Sequence, residues 1–276
     1  MRKQFTKTVL SLLEQDDKVV LLLGDIGVHG FKEAFERFPD RVYNIGILEQ
    51  SMVSLAAGLS AAGMIPIVHT IAPFLVERAF EQIKVDFGYQ KLGGNFVSVG
   101  ASYDYSKLGP THHCPGDVAL LKTIPGLDVM VPGHPEEFDH IFRDHYASPR
   151  PTYYRLTEYP NKDHHGFHVK QGTKGTVVAV GPMLDRTIEA CKNLDVTINY
   201  VTYLSGLNSS VDEGDLVIVE PFYAGTLAHE FYDRKVHSIG VPRIFQTNYG
   251  TVQEHDEACE LTAPQIEKSI RNFFKI

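Results

Sequence analysis

Residues 44–50 read Asn-Ile-Gly-Ile-Leu-Glu-Gln and contain one acidic residue, Glu49, between an apolar approach and the small-residue segment 51–63. That segment is rich in alanine and typical of a helix, so we expect Glu49 to begin a helix among buried neighbours. Burial disfavours the charged form of a carboxyl group, which suits the group to donating or sharing a proton. A favourable interaction with the helix dipole is the alternative, and Glu49 alone does not decide between the two.

A long loop, residues 100–116, carries the next candidates, His112 and His113, among Tyr, Gly and Pro residues. A loop of this length in a compact domain is usually functional. Imidazole titrates near neutral pH and can move a proton to a substrate oxygen. An inert surface position is the alternative for both histidines.

Composition excludes several classes of protein. The chain has 276 residues, enough for two domains, and a net charge of −8 with no basic stripe, which argues against nucleic-acid binding. We find no apolar run long enough to span a bilayer and no secretory signal pattern, and therefore expect a cytoplasmic protein without membrane contact. The three cysteines are widely spaced and the 13 histidines form no His-Glu-x-x-His motif, so neither a disulfide framework nor a metal hydrolase is indicated.

Apolar strand-like runs alternate with helix-like segments along the whole chain, which predicts parallel sheets with crossover helices. We expect an α/β protein of two domains, each a mostly parallel sheet flanked by helices, over residues 1–157 and 175–276. Residues 158–174 are polar and predict a linker. Its histidines, His164, His165 and His168, indicate a solvated connector more than a metal site, because no other ligands accompany them.

Five short motifs, in order along essentially the whole chain, resemble the C-terminal half of transketolase, including the split transketolases of two subunits. Residues 38–50 (FPDRVYNIGILEQ) and 56–59 (AAGL) resemble one family segment, and 78–82 (RAFEQ), preceded by Phe74, resembles its aromatic-bearing helix. Residues 109–113 (GPTHH) are similar to the family's GPTHQ loop, and residues 123–132 to its IPGM…VP strand.

The resemblance implies a fold of a thiamine diphosphate pyrimidine-binding domain followed by a transketolase C-terminal domain, with the cofactor bound between two domain types. Glu49 would then hydrogen-bond the aminopyrimidine ring and favour the imino tautomer that removes the thiazolium proton. The match also places Asp25 near the cofactor, Phe74 against the pyrimidine ring and Ile71 where the family has a second aromatic residue. Simple core packing is the alternative for Phe74. His112 matches the histidine that lies over the thiazolium and the substrate.

The resemblance also implies substrate contacts. Arg155 matches an arginine that binds substrate phosphate, for which a planar guanidinium is suited; an ion pair is the alternative. His113, at the family's Gln position, and His69 are further candidates, although His69 would more often be a satisfied, half-buried histidine. Leu108 replaces an aspartate that contacts the sugar, and Gly100 replaces a substrate histidine. These departures put standard pentose phosphate specificity in doubt.

The family's Gly-Asp-Gly motif and downstream Asn residues, which hold Mg²⁺ and the diphosphate, are absent from residues 24–26, 116–118 and 214–216. We therefore expect an N-terminal, diphosphate-binding partner subunit in an α2β2-type enzyme. The expected reaction is transfer of a two-carbon ketol unit between sugars or sugar-like molecules. The alternatives are a β subunit of a 2-oxoacid dehydrogenase or decarboxylase, and a non-catalytic scaffold of the same fold.

Overall fold

The alternating pattern folds into two sheets flanked by helices, so the predicted α/β fold class is confirmed. The computed structural model describes residues 1–163, 165–207, 211 and 214–276. His164 of the predicted connector lies outside these residues. Within the described part of the chain, no helix is long and apolar enough to cross a membrane.

The first sheet has six strands, all parallel, in the order β2-β1-β3-β4-β6-β5. Its strands are β1 (Val19–Leu23), β2 (Val42–Asn44), β3 (Ile65–Ile71), β4 (Gly94–Val99), β5 (Asp128–Met130) and β6 (Pro151–Arg155). Every residue of β1 is buried, since a parallel sheet is covered by helices on both faces. The carboxyl ends of these strands lie along one edge, where open α/β sheets bind ligands.

The helices of this first unit cover both faces of its sheet. They are α1 (Arg2–Gln15), α2 (Lys32–Arg37), α3 (Glu49–Ala61), α4 (Phe80–Gln82), α5 (Asp117–Leu121) and α6 (Pro135–His145). Two wider, π-helical segments, Pro73–Glu77 and Ile83–Tyr89, flank α4. The resemblance at Phe74 and residues 78–82 predicted a helix at this place. Wider turns of this kind occur often at functional sites.

The second sheet has five strands in the order β11-β10-β8-β9-β7, parallel except for β7. Its strands are β7 (His168–Lys170), β8 (Thr176–Val180), β9 (Thr197–Val201), β10 (Leu216–Tyr223) and β11 (Val236–Val241), and its helices are α7 (Leu184–Cys191), α8 (Val252–Ala258) and α9 (Ala263–Phe274). The sequence did not predict β7, β11 or α8. All three elements are short, and β7 and α8 are also polar, so their positions depend on packing against the rest of the unit.

One cluster of the hydrophobic core spans the two units. A single cluster of buried residues includes Val68 and Phe96 of the first sheet together with Val178 and Phe222 of the second. The backbone connects them as well, because Val131 N–H donates to the carbonyl of Thr202 at 2.6 Å. Contacts with both units therefore hold the loops that lie between the two sheets.

Candidate active site

Glu49 is the first residue of α3, and only 1% of its surface is exposed. Arg78 Nη1 donates to Glu49 Oε2 at 2.7 Å. Glu49 Oε1 is buried and has no hydrogen-bond partner among the described residues. A buried carboxyl oxygen without a donor is costly, so this atom is suited to receive a donor from outside the chain.

Arg78 connects Glu49 to two other predicted site residues. Its guanidinium carbon lies 4.2 Å from the centroid of the Phe74 ring, in a cation–π contact. The other neighbour of Phe74 is His112, whose ring meets it edge-on at a centroid distance of 5.2 Å. Thr111 Oγ1 lies 2.9 Å from His112 Nδ1. The structure thus places Glu49, Phe74 and His112 in one continuous group.

The sequence analysis overlooked Arg78, which the fold makes the centre of this group. A signal was present, because Arg78 follows Phe74 by four residues and such pairs share one face of a helix. The geometry could not be deduced from that spacing alone. It depends on the wide π-helical turn at Pro73–Glu77 and on the ion pair that joins Arg78 to the start of α3.

Asp25 lies at the same edge of the sheet, directly beyond β1. Its backbone has a φ of 65°, in the left-handed region, and its N–H donates to Asn44 Oδ1 at 3.0 Å. Asn44 also accepts from Gly46 N–H at 3.1 Å and so ties the Asp25 loop to the turn before Glu49. Ile71 ends β3 nearby in the fold and is buried.

Asp25 and His69 line a cavity of about 790 Å³ between α1 and the loop that follows β1. Arg2 and Lys3 of α1 line it as well. His69 itself is almost completely buried, with its ring 4.6 Å from that of Phe5 and its Nδ1 2.8 Å from the carbonyl of Val97. Burial lowers the pKa of His69 to about 4, so the imidazole is neutral at neutral pH.

Replacement of His69 by asparagine should therefore have a pH-dependent effect on stability. The folded chain keeps His69 neutral down to about pH 4, whereas the unfolded chain protonates it below the ordinary histidine pKa of 6.5. The stabilisation from neutral His69 is therefore lost as pH falls from 6.5 towards 4, by at most about 3 kcal/mol. Urea unfolding of wild type and H69N across this pH range measures it. We expect the difference between the two proteins to shrink in acid; a constant difference would contradict the assignment.

Arg155 and Asp117 form a buried ion pair, with Arg155 Nε donating to Asp117 Oδ2 at 2.8 Å. Arg155 Nη2 donates to Ser102 Oγ at 2.9 Å and lies 3.4 Å from the carbonyl of Pro221. Asp117 Oδ2 also accepts from Tyr153 at 2.8 Å. The carboxylate of Asp117 raises the pKa of Arg155 despite its burial. Substrate binding by Arg155 stays a prediction, and the structure gives two of its nitrogens, Nε and Nη2, partners within the chain.

His113 is turned away from the group around Glu49. It is 8% exposed and packs against Tyr103 and His255, with ring centroids 6.5 and 5.3 Å away. Its role in binding substrate likewise stays a prediction. Within the described part of the chain, no group of three or more His, Cys, Asp or Glu side chains is arranged to hold a metal ion.

With this geometry established, comparisons with known proteins identify the family. Residues 1–159 match the family described as the transketolase, pyrimidine binding domain. The chain therefore belongs to the transketolase family. Within it, the chain corresponds to the C-terminal, pyrimidine-binding subunit of a split transketolase-like enzyme, and membership implies use of thiamine diphosphate.

Three proteins illustrate what this chain is similar to. An uncharacterized 33.6 kDa protein in the fasciation locus of Rhodococcoides fascians is 39% identical over 98% of this chain and 93% of its own length. One of the subunits of the apulose-4-phosphate transketolase of Phocaeicola vulgatus is 30% identical over 68% of this chain and 64% of its own. A solved split-gene transketolase, described as an inactive beta4 tetramer, is 26% identical, with a TM-score of 0.84 over 99% of this chain and 97% of that one.

Proposed function

We propose that this chain supplies one half of a thiamine diphosphate site in a transketolase-like enzyme that transfers a two-carbon ketol unit between sugars or sugar-like substrates. The observation that carries the proposal is the unpartnered, buried Oε1 of Glu49. A cofactor ring that donates a hydrogen bond to this oxygen would satisfy it. The adjacent Phe74 ring, which is half-buried, offers an apolar surface for that ring.

The chain's own groups have distinct roles in this proposal. When bound, thiamine diphosphate supplies the nucleophilic carbon that adds to a substrate carbonyl. Glu49 holds or shares a proton through Oε1, and Arg78 fixes the orientation of that carboxyl through Oε2. His112, whose ring meets that of Phe74 edge-on, moves a proton at a substrate oxygen. Asp25 contacts the cofactor from the neighbouring strand end.

A partner subunit completes the site. Ile47 and Leu48, directly before Glu49, are 66% and 57% exposed, and Leu55 on α3 is exposed as well. Exposed apolar residues that cluster at one place mark an interaction surface. We propose that the partner covers them and contributes the oxygen ligands for Mg²⁺ and the diphosphate, in an α2β2 arrangement.

The cavity beside Asp25 supports a substrate with an anionic end group. Arg2 and Lys3 bring positive charge to its wall, and Glu158, which pairs with Arg2 at 3.7 Å, balances part of it. A relative of this chain is named for apulose 4-phosphate, a phosphorylated sugar. We therefore propose a phosphorylated or otherwise anionic sugar-like substrate, with His69 as part of the wall that it contacts.

The test is reconstitution with the partner. Co-expression with a subunit that carries the Gly-Asp-Gly motif should give a complex that requires thiamine diphosphate for ketol transfer. Mass spectrometry of products from a ketose phosphate donor and an aldehyde acceptor should find an acceptor longer by two carbons. Release of CO₂ from pyruvate as the main reaction would instead assign the chain to the 2-oxoacid enzymes. Failure of the complex to bind thiamine diphosphate in a calorimetric titration would favour the scaffold.

A further inference from the structure

Two buried histidines meet beneath the loop that carries His112. His113 and His255 approach edge to face, with ring centroids 5.3 Å apart and an interplanar angle of 86°. His255, on α8 of the second unit, is completely buried. None of the four ring nitrogens of this pair has a hydrogen-bond partner among the described residues. Both rings therefore pack as neutral, largely apolar groups in this arrangement.

Tyr103, which belongs to the loop itself, and groups of the second unit together hold His255 in place. Tyr103 stacks on the His255 ring at a centroid distance of 5.2 Å, and its hydroxyl donates to Asp256 Oδ1 at 2.6 Å. Arg186 of α7 donates to the same oxygen at 2.6 Å. A capping box, in which Thr251 and Glu254 bond each other's backbone N–H groups, fixes the start of α8.

The loop is closed at its base, and two of its side chains, Tyr103 and His113, pack on His255. Cys114 N–H donates to the carbonyl of Ser102 at 2.7 Å, which joins the two ends of the segment 102–114. His112 and His113 are adjacent, and their rings contact Phe74 and His255 respectively. The position of His112 therefore depends on how Tyr103 and His113 are seated on His255.

We propose that His255 is a positioning residue for the loop that carries His112, and that protonation of His113 against the His255 ring releases this loop. The proposal rests on the proposed function only for the role of His112. A proton on His113 would place a positive charge against the His255 ring in a buried space, with no acceptor at the protonated nitrogen. An opened loop would expose both rings to water and remove that cost.

The charged and titratable groups around His113 and His255 favour opening of the loop when His113 is protonated. Burial, with smaller contributions from His255 and His112, lowers the pKa of His113 to about 4. The nearest carboxylate behind Tyr103, that of Asp256, is already paired with Arg186, and Glu254 is exposed on the capping box. The groups that face the pair are thus Tyr103, His112, Cys114, Arg186, Glu254, Asp256 and Cys259.

His113 should bind a proton at a lower pH in the closed loop than in the open loop. The closed loop excludes a proton from His113 down to about pH 4, whereas the open loop accepts one near the ordinary histidine pKa of 6.5. The ratio of closed to open loop should therefore fall by about tenfold for each pH unit between these limits.

Hydrogen–deuterium exchange of the reconstituted complex tests the proposal without reference to catalysis. The reporter is a peptide that contains Cys114 N–H, with rates corrected for the intrinsic effect of pH. In the wild type, we expect its protection to fall by at least tenfold from pH 6.5 to 5. H255F keeps an aromatic ring against Tyr103 and His113, so it should keep most of the wild-type protection at pH 7.5. H255A, which leaves a cavity, should lower protection tenfold or more even at pH 7.5, and should lower kcat with little change in KM.

H113Q places in the loop the glutamine that the family carries there and should weaken the pH dependence. The matched control is H237Q, because His237 is a half-buried histidine of the same unit as His255 that bonds Ser269 at 2.7 Å, away from the loop. Wild-type pH dependence in H113Q would overturn the proposal, as would full protection in H255A. If the exchange results hold while the complex shows no ketol transfer, the proposed function fails and the loop anchor stands.

Discussion

Replacement of Glu49 by glutamine should lower the rate of ketol transfer by about 10²–10⁴-fold, the usual effect of losing a positioned proton-transfer group. The amide keeps an oxygen and nearly the same volume. The buried position at the start of α3 and the contact with Arg78 can therefore persist. The amide cannot take up or share a proton through the atom that replaces Oε1. The loss should fall on kcat, because this interaction matters in the reaction more than in binding.

Steady-state assays of the reconstituted complex measure this effect, and thermal unfolding checks that E49Q folds. The control is E36Q, which removes an exposed carboxylate on α2 whose nearest cation, Lys32, lies 3.9 Å away. We expect wild-type activity for E36Q. Calorimetric titration with thiamine diphosphate separates a loss of cofactor from a loss of catalysis. Full activity in E49Q would refute the role proposed for Glu49.

Replacement of Arg155 by methionine should destabilise the chain by about 3–5 kcal/mol, because it leaves the carboxylate of Asp117 buried without its cation. Both side chains are almost fully excluded from solvent, at 1% and 0% exposed. The double variant R155M/D117N should lose less stability than the two single variants lose in sum, since the two changes remove one shared interaction. Equilibrium unfolding in urea measures all three.

The matched control is R271M, which makes the same substitution in the exposed pair between Arg271 and Glu267 on α9. The R271M substitution should lower the free energy of unfolding by less than about 1 kcal/mol. A further variant, R155K, tests the prediction that Arg155 binds substrate phosphate. A KM that rises for phosphorylated substrates only, in a conservative R155K enzyme that folds normally, would support that prediction. An equal change for phosphorylated and unphosphorylated substrates would assign Arg155 to the ion pair.

The sequence was informative where a local pattern has a single structural meaning. The uniformly apolar run of β1 predicted a buried parallel strand, and the small-residue segment after Glu49 predicted α3 with its first residue. Short polar elements such as β7 and α8 gave no comparable signal. Their conformation depends on neighbours that are distant in sequence, as in the ion pair of Arg186 with Asp256.

The sequence by itself determined the family, the α/β architecture and the identity of the carboxyl group at the start of α3, because these follow from ordered motifs and local periodicity. Only the tertiary structure decided what each side chain contacts. It left Glu49 Oε1 buried without a partner among the described residues, placed Arg78 between Glu49 and Phe74, enclosed Arg155 with Asp117, and seated His113 against His255. The physical reason is that these contacts join residues 29 to 142 positions apart in every case but Arg78–Phe74, and burial and pairing at such distances are set by packing.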